Sequence, residues 1–362
     1  MAEKTRNRGE LSELYVLARL LSDATLTVNG ISGSRTALPI NRVTRKLGGV
    51  TRSWLIFGGD VMVTDPAGSS MPLFCTEPPL VNRRKIAALA DEMLVEISSM
   101  TKSASLASLV AAQAIVNLLG LDDVIGDNKE KGDLGVEVYD PTISAHVMRY
   151  FSIKSHIGSP PSLLNASGAT WFRYAVTCPG VSPCDSGFED LKTVGLVSTL
   201  LSEGCSVLYD SMDERFRENL DMLDGHLERI VAECLLESYL GSGRSVASVV
   251  SRVAAKNPLG FPSTTAEKVY RYKFLQFLQN SAFGMMPSEP WGGLSATTAG
   301  FIDVKKDGSL LIFHNENQDE LREYLWTATK FETPSTSRHN HGTLYRIEDG
   351  CFMNLALQIR YI

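Results

Sequence analysis

One stretch of the sequence, Gly132 to Ser155, constrains the fold more than any other because it has the pattern of a β-hairpin. Its first arm, Leu134 to Tyr139, is rich in β-branched and aromatic residues, and its second arm, His146 to Ser155, ends in an apolar run. Between the arms lies Asp140-Pro141-Thr142, a typical turn signal. The pattern predicts two antiparallel strands joined by a short turn.

The predicted hairpin carries an acid on one arm and a lysine on the other. If the arms pair about a turn centred near residue 143, paired positions sum to about 287, which places Asp133 opposite Ile153 or Lys154. Ser152 and Lys154 share one face because side chains alternate along a strand. A carboxylate that holds Mg²⁺ and an ammonium that steadies charge or orients water suit metal-assisted hydrolysis of a phosphodiester.

The spacing of Asp133, Ser152 and Lys154 resembles the PD-(D/E)XK nuclease hairpin, with serine where the second acid usually stands. An aspartate and a lysine that flank a hairpin are also common as solvated surface residues. The spacing alone leaves both interpretations open.

Length and composition permit an enzyme of this kind. A chain of 362 residues with 44% apolar residues can bury a large core and is expected to divide into two domains. We expect a nuclease core at 1–180, a mainly helical segment at 181–290, and a β-rich, DNA-contacting segment at 291–362. The sequence has no apolar run of membrane-spanning length and no apolar signal core, so we expect a soluble cytoplasmic protein without a membrane partner. The six scattered cysteines are expected to be reduced thiols.

The net charge of −6 is unevenly distributed. Residues 187–237 hold twelve acids and four bases, so the rest of the chain has a net charge of +2. The first sixty residues contain nine lysines and arginines against five acids. This local excess is what a phosphate-binding surface uses, although a basic solvated face gives the same pattern.

The fold class expected from these patterns is α/β, with a mixed sheet flanked by helices, a helical insertion and a C-terminal β-rich segment. Apolar residues at helical spacing predict a first helix over Leu11 to Leu21 and a largely helical region over 186–285. Residues 300–313 predict a second hairpin. The final segment, Asn354 to Arg360, alternates apolar and polar residues as a strand with one face in water does.

Four segments together resemble the HpaII-type family of type II restriction endonucleases. They are GELSELYVL (Gly9 to Leu17), FSIKSHIGSPPSLLNAS (Phe151 to Ser167), TPSTSRH (Thr333 to His339) and LALQIRY (Leu355 to Tyr361). The resemblance covers essentially the whole chain. It implies Mg²⁺-dependent double-strand cleavage of DNA at a short palindrome, CCGG as for the type enzyme, in a restriction–modification pair with a cytosine methyltransferase. A homodimer is compatible with it.

The resemblance also implies roles for individual residues. Asp133 is the motif acid, Lys154 the motif lysine, and Ser152 occupies the second acidic position. Some nucleases with serine there recruit a glutamate from elsewhere, and Glu13 on the first helix is our candidate, ahead of its neighbour Glu10. Asp133 and Glu13 are therefore the expected metal ligands.

Two further acids are weaker candidates. Glu137 shares the face of Asp133 but lies about 13 Å along the strand at roughly 3.3 Å per residue, which is too far for one ion. Asp140 falls in the predicted turn, and it replaces Asp133 only if the predicted register is wrong.

For base recognition, arginine is the natural bidentate donor to guanine O6 and N7. We expect Arg338 to fill this role, with Arg360, Gln358, Asn165 and Ser167 as further DNA-contacting candidates. The alternative for Arg338 is a contact with a backbone phosphate.

Two other functional classes compete with the nuclease interpretation. Serine in the acidic position is also compatible with a non-catalytic, sequence-specific DNA-binding protein whose nuclease site has decayed. A nucleotide-dependent enzyme is disfavoured because the sequence has no GxxxxGK[ST] loop.

Overall fold

The computed structural model of the 362-residue chain describes most of the sequence. The described residues are 5–29, 34–64, 79–121, 124, 132–141, 143–185, 187–188, 191, 193–240, 243–292, 300–314, 317–335 and 341–362. Within these ranges, no helix is both long and apolar enough to cross a membrane.

The first 161 residues form nine strands and three helices among the described positions. In chain order these are β1 (Thr5–Asn7), α1 (Arg8–Asp23), β2 (Thr25–Asn29), β3 (Arg35–Leu47), β4 (Val50–Phe57), β5 (Asp60–Thr64), β6 (Leu80–Asn82), α2 (Arg83–Ser99), β7 (Ser103–Ser105), α3 (Val110–Leu118), β8 (Leu134–Asp140) and β9 (Ala145–Ser155).

The remainder alternates between strands and a run of helices. Its elements are β10 (Ser162–Leu164), β11 (Trp171–Thr177), α4 (Thr193–Ser202), β12 (Ser206–Met212), α5 (Glu214–Leu223), α6 (Leu227–Ser238), α7 (Val246–Lys256), α8 (Ala266–Ala282), β13 (Gly300–Val304), β14 (Leu310–His314), α9 (Gln318–Ala328), β15 (Thr329–Phe331), β16 (Leu344–Ile347), β17 (Gly350–Ala356) and β18 (Ile359–Tyr361).

The chain divides into two compact units that differ from the three expected segments. The first unit contains 1–161 and 295–321, and the second contains 162–294 and 322–362. The C-terminal β-rich segment is therefore shared, because β13 and β14 belong to the first unit and β15 to β18 to the second. The strands of this segment pair with strands that are distant in sequence, and the sequence of the segment alone does not show these pairings.

The first unit is built on a mixed nine-stranded sheet. Its strand order is β2-β14-β13-β9-β8-β3-β4-β5-β6, and β2 also pairs with β3, so six of the strands close into a barrel-like ring. β13 runs parallel to β9, and β14 runs parallel to β2, while the remaining neighbours are antiparallel. The expected mixed sheet flanked by helices is confirmed. The closure of six strands into a ring was not predicted from the sequence.

The first helix follows the predicted apolar stripe and is buried along it. Leu11, Leu14, Tyr15, Ala18 and Leu21 all belong to the core that α1 shares with the sheet. Asn7 caps the helix in a capping box, in which its side chain accepts from the Glu10 amide and the Glu10 carboxylate accepts from the Asn7 amide. The helix ends at Ala24, which adopts a left-handed conformation.

The hairpin forms as predicted, but its register is shifted by two. β8 and β9 pair from Leu134 with Phe151 to Asp140 with Ala145, so paired positions sum to 285 instead of about 287. Asp133 is consequently one residue before Leu134, level with Ser152, and not opposite Ile153 or Lys154. The turn is shorter than expected because β8 continues through Asp140 and β9 already begins at Ala145.

The second unit contains two antiparallel sheets. The strand orders are β10-β18-β15 and β12-β11-β17-β16. The helical region over 186–285 is confirmed, except that β12 interrupts it and joins β11. The predicted terminal strand is split, since β17 and β18 lie in different sheets. Pairing breaks at Leu357, whose amide donates instead to the Thr170 carbonyl at 2.8 Å.

The expectation of six reduced thiols is wrong for four of the cysteines. Cys178 is bonded to Cys205, and Cys184 to Cys351, while Cys234 is a buried free thiol. These partners are 27 and 167 residues apart in sequence, and they meet because β11 pairs with both β12 and β17. Cys75 lies outside the described residues.

Candidate active site at the start of the hairpin

Two hydrogen bonds from α1 fix it against elements of the sheet. The Ser12 hydroxyl donates to the Arg8 carbonyl at 2.7 Å and lies 2.8 Å from the Ser155 hydroxyl at the end of β9. The buried Tyr15 hydroxyl donates to the Gly308 carbonyl, in the turn between β13 and β14, at 2.9 Å. Glu13 follows Ser12 directly and lies between these two anchors on α1, so its position along the sheet is set from both sides.

Asp133 is held at the beginning of the hairpin by the backbone of β9. Its amide donates to the Phe151 carbonyl at 2.8 Å, and its carboxylate Oδ2 accepts from the Ile153 amide at 2.6 Å. Gly132 precedes it with φ of 114°, a conformation that disfavours other residues, and an added Cβ there would lie 3.2 Å from Tyr150 Cβ. The chain thus turns into β8 with the Asp133 carboxylate directed at the amide next to Lys154.

Glu13 reaches the same place from α1. Its carboxylate accepts from Nη2 of Arg45 on β3, whose side chain is only 1% exposed. Glu10, the neighbouring candidate, instead has its carboxylate engaged by the Asn7 amide in the capping box. The structure therefore gives these two glutamates different surroundings, and it is Glu13 that faces the sheet.

The charge of Asp133 acts on Glu13. Burial and, to a smaller extent, the negative charge of Asp133 raise the pKa of Glu13 to about 7, while Arg45 and Lys154 partly oppose this increase. Burial also raises the pKa of Asp133, against the lowering effects of the Ile153 amide, Lys154 and Arg45. The site therefore gathers two acids in a poorly hydrated region where nearby cations only partly compensate their charge.

Lys154 lies on β9 beside a buried acid on the neighbouring strand. In the parallel pairing of β9 with β13, Lys154 is level with Asp303, and Ser152 is level with Phe301. Asp303 is fully buried, and its carboxylate is 3.1 Å from His156 Nε2 and 2.7 Å from Lys305 Nζ. Lys154 thus stands at the edge of a second group of charged side chains.

The other predicted acids of the hairpin are placed elsewhere. Glu137 pairs with Arg42 across β3 and β8, with a 3.3 Å contact between their side chains. Asp140 lies at the opposite end of β8, where it forms a buried ion pair with Arg149 at 2.7 Å. Neither is brought to Lys154, so the structure gives no support to Asp140 as a replacement for Asp133.

Sequence comparison over the whole chain decides the family. Residues 7–361 match the HpaII restriction endonuclease family. This chain belongs to that family. The type II restriction enzyme HpaII from Haemophilus parainfluenzae is 28% identical over 365 residues, which cover 98% of each chain. No solved structure matches this chain.

Membership in the HpaII restriction endonuclease family confirms the resemblance inferred from the four sequence segments. It also supports the expected enzyme class, a type II site-specific deoxyribonuclease.

The candidate DNA-contacting residues of this family member lie in the second unit where they are described. Asn165 is exposed, and Ser167 forms a local turn in which its hydroxyl accepts from the Ala169 amide at 3.2 Å. Gln358 and Arg360 are half-buried, the former between β17 and β18 and the latter on β18. Arg338 lies outside the described residues.

The start of the hairpin offers oxygen donors of the kind that Mg²⁺ prefers. Among the residues that the structure describes, no three or more histidine, cysteine, aspartate or glutamate side chains are grouped to hold a metal ion. Mg²⁺ needs fewer, because it is commonly bound by one or two carboxylates together with water and substrate phosphate oxygens. Glu13 and Asp133 supply two hard oxygen donors, and because burial raises the pKa of both, a bound cation would stabilise their charged forms. This donor set fits Mg²⁺.

Sequence reasoning missed two residues around the site. Arg45 was only one of nine basic residues in the basic N-terminal region, and nothing local marked it as the buried partner of Glu13. Asp303 lay in an apolar strand pattern, and only the parallel pairing of β13 with β9 brings it beside Lys154.

Proposed function

We propose that this protein is a Mg²⁺-dependent type II restriction endonuclease that cleaves both strands of DNA at a short palindrome, CCGG. The observation that carries the proposal is the meeting of Glu13 from α1 with Asp133 and Lys154 of the hairpin, within a chain of this family. An acid pair beside a lysine suits metal-assisted hydrolysis of a phosphodiester, because the acids can hold Mg²⁺ and the ammonium can steady charge or orient water.

We also propose that the first unit is a PD-(D/E)XK-like nuclease core. The support comes from the hairpin with Asp133 and Lys154 on its two arms, set in a mixed sheet against which the helices of the unit pack. Ser152 occupies the second acidic position, and a hydroxyl cannot supply the missing negative charge. Glu13 supplies it from α1, held by Arg45.

Each residue has a distinct role in this proposal. Asp133 and Glu13 are the protein ligands for Mg²⁺, and the bound ion would supply Lewis-acid stabilisation of the phosphate that is attacked. The Lys154 ammonium orients the attacking water and stabilises the negative charge that grows on the phosphate oxygens. Arg45 fixes the Glu13 side chain and keeps it directed toward Asp133.

The substrate in this proposal is double-stranded DNA. A palindromic site has two-fold symmetry, which a homodimer would match. A cognate cytosine methyltransferase would protect the host's own sites, and both proteins would act in the cytoplasm, where the DNA is. Arg338 remains the proposed reader of guanine, with Asn165, Ser167, Gln358 and Arg360 as further contacts.

Cleavage of plasmid DNA tests the proposal. A plasmid with CCGG sites should be cut at defined positions in Mg²⁺, without nucleotide, while excess chelator should leave it intact. A plasmid from which every CCGG has been removed is the matched control. Discrete fragments from the control plasmid would overturn the CCGG assignment, and cleavage in chelator would overturn the metal dependence. Specific binding without cleavage under any of these conditions would identify the non-catalytic alternative.

Replacement of Arg338 tests the proposed base contact. Arg338→Ala should lose about 1–3 kcal/mol of binding free energy for the specific duplex while leaving binding to random DNA nearly unchanged. Equal losses on both duplexes, measured by fluorescence anisotropy, would assign Arg338 to the DNA backbone.

A further inference from the structure

The four-stranded sheet of the second unit has two unlike faces. On one face, Phe172, Tyr174 and Val176 of β11 are buried with Met353 and Leu355 of β17. The opposite face presents half-exposed side chains that alternate with these along the same strands. The central residue of that face is Arg173, which is level with Asn354 of β17 and with Ser211 of β12.

Arg173 is held in place by side chains from three other strands. Its Nε donates to Asp210 Oδ2 on β12 at 2.6 Å. Its guanidinium carbon lies 5.3 Å from the ring centroid of Phe352 on β17, which is within range of a cation–π contact. Its side chain also lies within hydrogen-bonding reach of the Tyr345 hydroxyl on β16.

The partners of Arg173 are themselves fixed. Tyr345 donates to Asn354 Oδ1 at 2.7 Å, and its ring lies 6.3 Å from that of Phe352. Asp210 also accepts from the Ser211 hydroxyl at 2.9 Å. Although partial burial acts to raise the pKa of Asp210, hydrogen bonds from Arg173 and Ser211 outweigh it, and the pKa lies below its ordinary value. Asp210 is therefore an anionic support at neutral pH.

This arrangement has little value for stability alone. The Arg173 and Asp210 side chains are 31% and 34% exposed, and ion pairs this accessible contribute about 0–1 kcal/mol. What the cluster does achieve is a fixed guanidinium at a partly open surface. Nε is engaged by Asp210, and the Tyr345 hydroxyl can accept one of the four hydrogens on the two terminal nitrogens, so each terminal nitrogen still has a hydrogen to donate to a ligand. An arginine fixed in advance loses less conformational entropy when it binds.

We propose that Arg173 is a specificity-determining residue whose two terminal nitrogens donate hydrogen bonds to O6 and N7 of a guanine in the recognised DNA site. This inference rests on the proposed function as a DNA endonuclease. Guanine is the ligand because its major-groove edge offers two adjacent acceptors that match the arginine fork. Asp210 and Phe352 are positioning residues for Arg173, as Asn354 is for Tyr345.

Equilibrium binding of full-length protein tests the inference. The parent is the Lys154→Ala variant, which should bind DNA without cutting it, and the probes are a CCGG duplex and a scrambled duplex of equal composition. Arg173→Ala should weaken CCGG binding by about 5- to 150-fold, equivalent to about 1–3 kcal/mol, and scrambled-duplex binding by less than about twofold. Arg173→Lys, which keeps the charge but lacks the planar fork, should lose a similar share of CCGG binding.

Arg346→Ala is the matched control. Arg346 on neighbouring β16 is also paired with an acid, Asp185, but it is 47% exposed, and no aromatic ring among the described residues forms a cation–π contact with it. This variant should bind both duplexes as the parent does. If Arg346→Ala and Arg173→Ala weaken binding to both duplexes by the same factor, only the net charge of the protein matters, and the inference is overturned.

A modified base identifies the atoms involved. Replacement of guanine by 7-deazaguanine removes the N7 acceptor, so it should weaken binding of the parent but cause little further loss in Arg173→Ala. Losses that add in full would overturn the assignment, because groups that contact each other are not additive. Equal binding of CCGG and scrambled duplexes by the parent would refute the proposed function itself, and the inference with it. If Arg173→Ala and Arg173→Lys prefer the CCGG duplex over the scrambled duplex as strongly as the parent does, the inference is refuted while the proposed function stands.

Discussion

The two ends of the β8–β9 hairpin each hold an aspartate, but in opposite electrostatic environments. At the turn, Asp140 is paired with Arg149 at 2.7 Å, and their side chains are only 11% and 6% exposed. At the start of the hairpin, the Asp133 carboxylate accepts a hydrogen bond from a backbone amide. Its negative charge also adds to the effect of burial in raising the pKa of nearby Glu13. One acid has a cation of its own, and the other shares its surroundings with a like charge.

This difference separates a structural acid from a functional one. A buried acid with a dedicated arginine is already compensated, and it contributes by keeping the turn in one conformation. Two neighbouring acids whose pKa values are raised, chiefly by burial, form a site that is incomplete without further positive charge. The sequence places Asp140 in a turn signal and Asp133 before the first arm, but only the fold shows which charged partner each aspartate has.

The largest expected effect is the loss of cleavage when the hairpin start is altered. Asp133→Ala should abolish cleavage because it deletes a metal ligand, whereas Asp140→Asn should still cut CCGG plasmid at a temperature where it is folded. Single-turnover cleavage rates make the comparison. An active Asp133→Ala protein beside an inactive but folded Asp140→Asn protein would reverse the assignment of the two ends.

Lys154→Ala should be similarly inactive for a different reason. Removal of one group that stabilises charge in the transition state typically costs 10²–10³-fold in rate, while ground-state binding is maintained. DNA affinity measured by anisotropy should therefore stay within about threefold of the wild type. A loss of binding that accounts for the whole loss of cleavage would make Lys154 a DNA-binding residue and not a participant in chemistry.

Local signals account for the parts of the fold and site that could be predicted. The stripe of α1, the hairpin and the second hairpin of β13 and β14 each depend on residues close in sequence. Glu13 could be proposed because the family resemblance covered its helix. The hairpin register was two positions off because the turn residues did not show that β8 continues through Asp140.

Long-range pairing accounts for what was missed. The ring closes through β2 with β3 and β14, and β13 meets β9 across some 150 residues of intervening chain, with no local marker for either contact. The two disulfides join residues 27 and 167 positions apart. Arg45 and Arg173 illustrate the same limit, because their partners Glu13 and Asp210 lie on other elements of the fold.

At the turn, the same comparison predicts a large change in stability. Asp140→Asn removes the negative charge that lies 2.7 Å from the buried Arg149, which should lower the free energy of unfolding by about 3–5 kcal/mol. Urea denaturation followed by circular dichroism measures it. A double replacement, Asp140→Asn with Arg149→Met, should recover part of the loss. If the single variant is as stable as the wild type, the pair is not the structural element described.

At the hairpin start, stability should instead depend on pH. The pKa of Glu13 is about 7 in the folded chain against 4.5 ordinarily, so between these values the folded state holds a proton that the unfolded state has released. The free energy of unfolding of metal-free protein should therefore fall as pH rises from 4.5 to 7, by about 3 kcal/mol at roughly 1.4 kcal/mol per pKa unit. Urea melts in chelator at pH 5 and pH 8 measure this change. Glu13→Gln should flatten the dependence, and an unchanged slope in that variant would contradict the assignment.

The smallest expected effect concerns Glu10. Glu10→Gln keeps a side chain that can accept from the Asn7 amide, so the capping box should weaken by less than about 1 kcal/mol and cleavage should continue. Thermal unfolding and a plasmid assay are sufficient. Complete inactivation of a folded Glu10→Gln protein would show that the wrong glutamate of α1 has been assigned to the site.

Titration with a divalent cation tests the central claim most directly, because it asks whether Glu13 and Asp133 act on one ion. Isothermal calorimetry with Mn²⁺ as the probe, on DNA-bound protein carrying Lys154→Ala, should give at least tenfold weaker binding after Glu13→Gln and after Asp133→Asn. Glu10→Gln should bind as the parent does. If Glu13→Gln retains parental Mn²⁺ affinity while Asp133→Asn loses it, α1 does not supply the second ligand, and the account of the site is wrong.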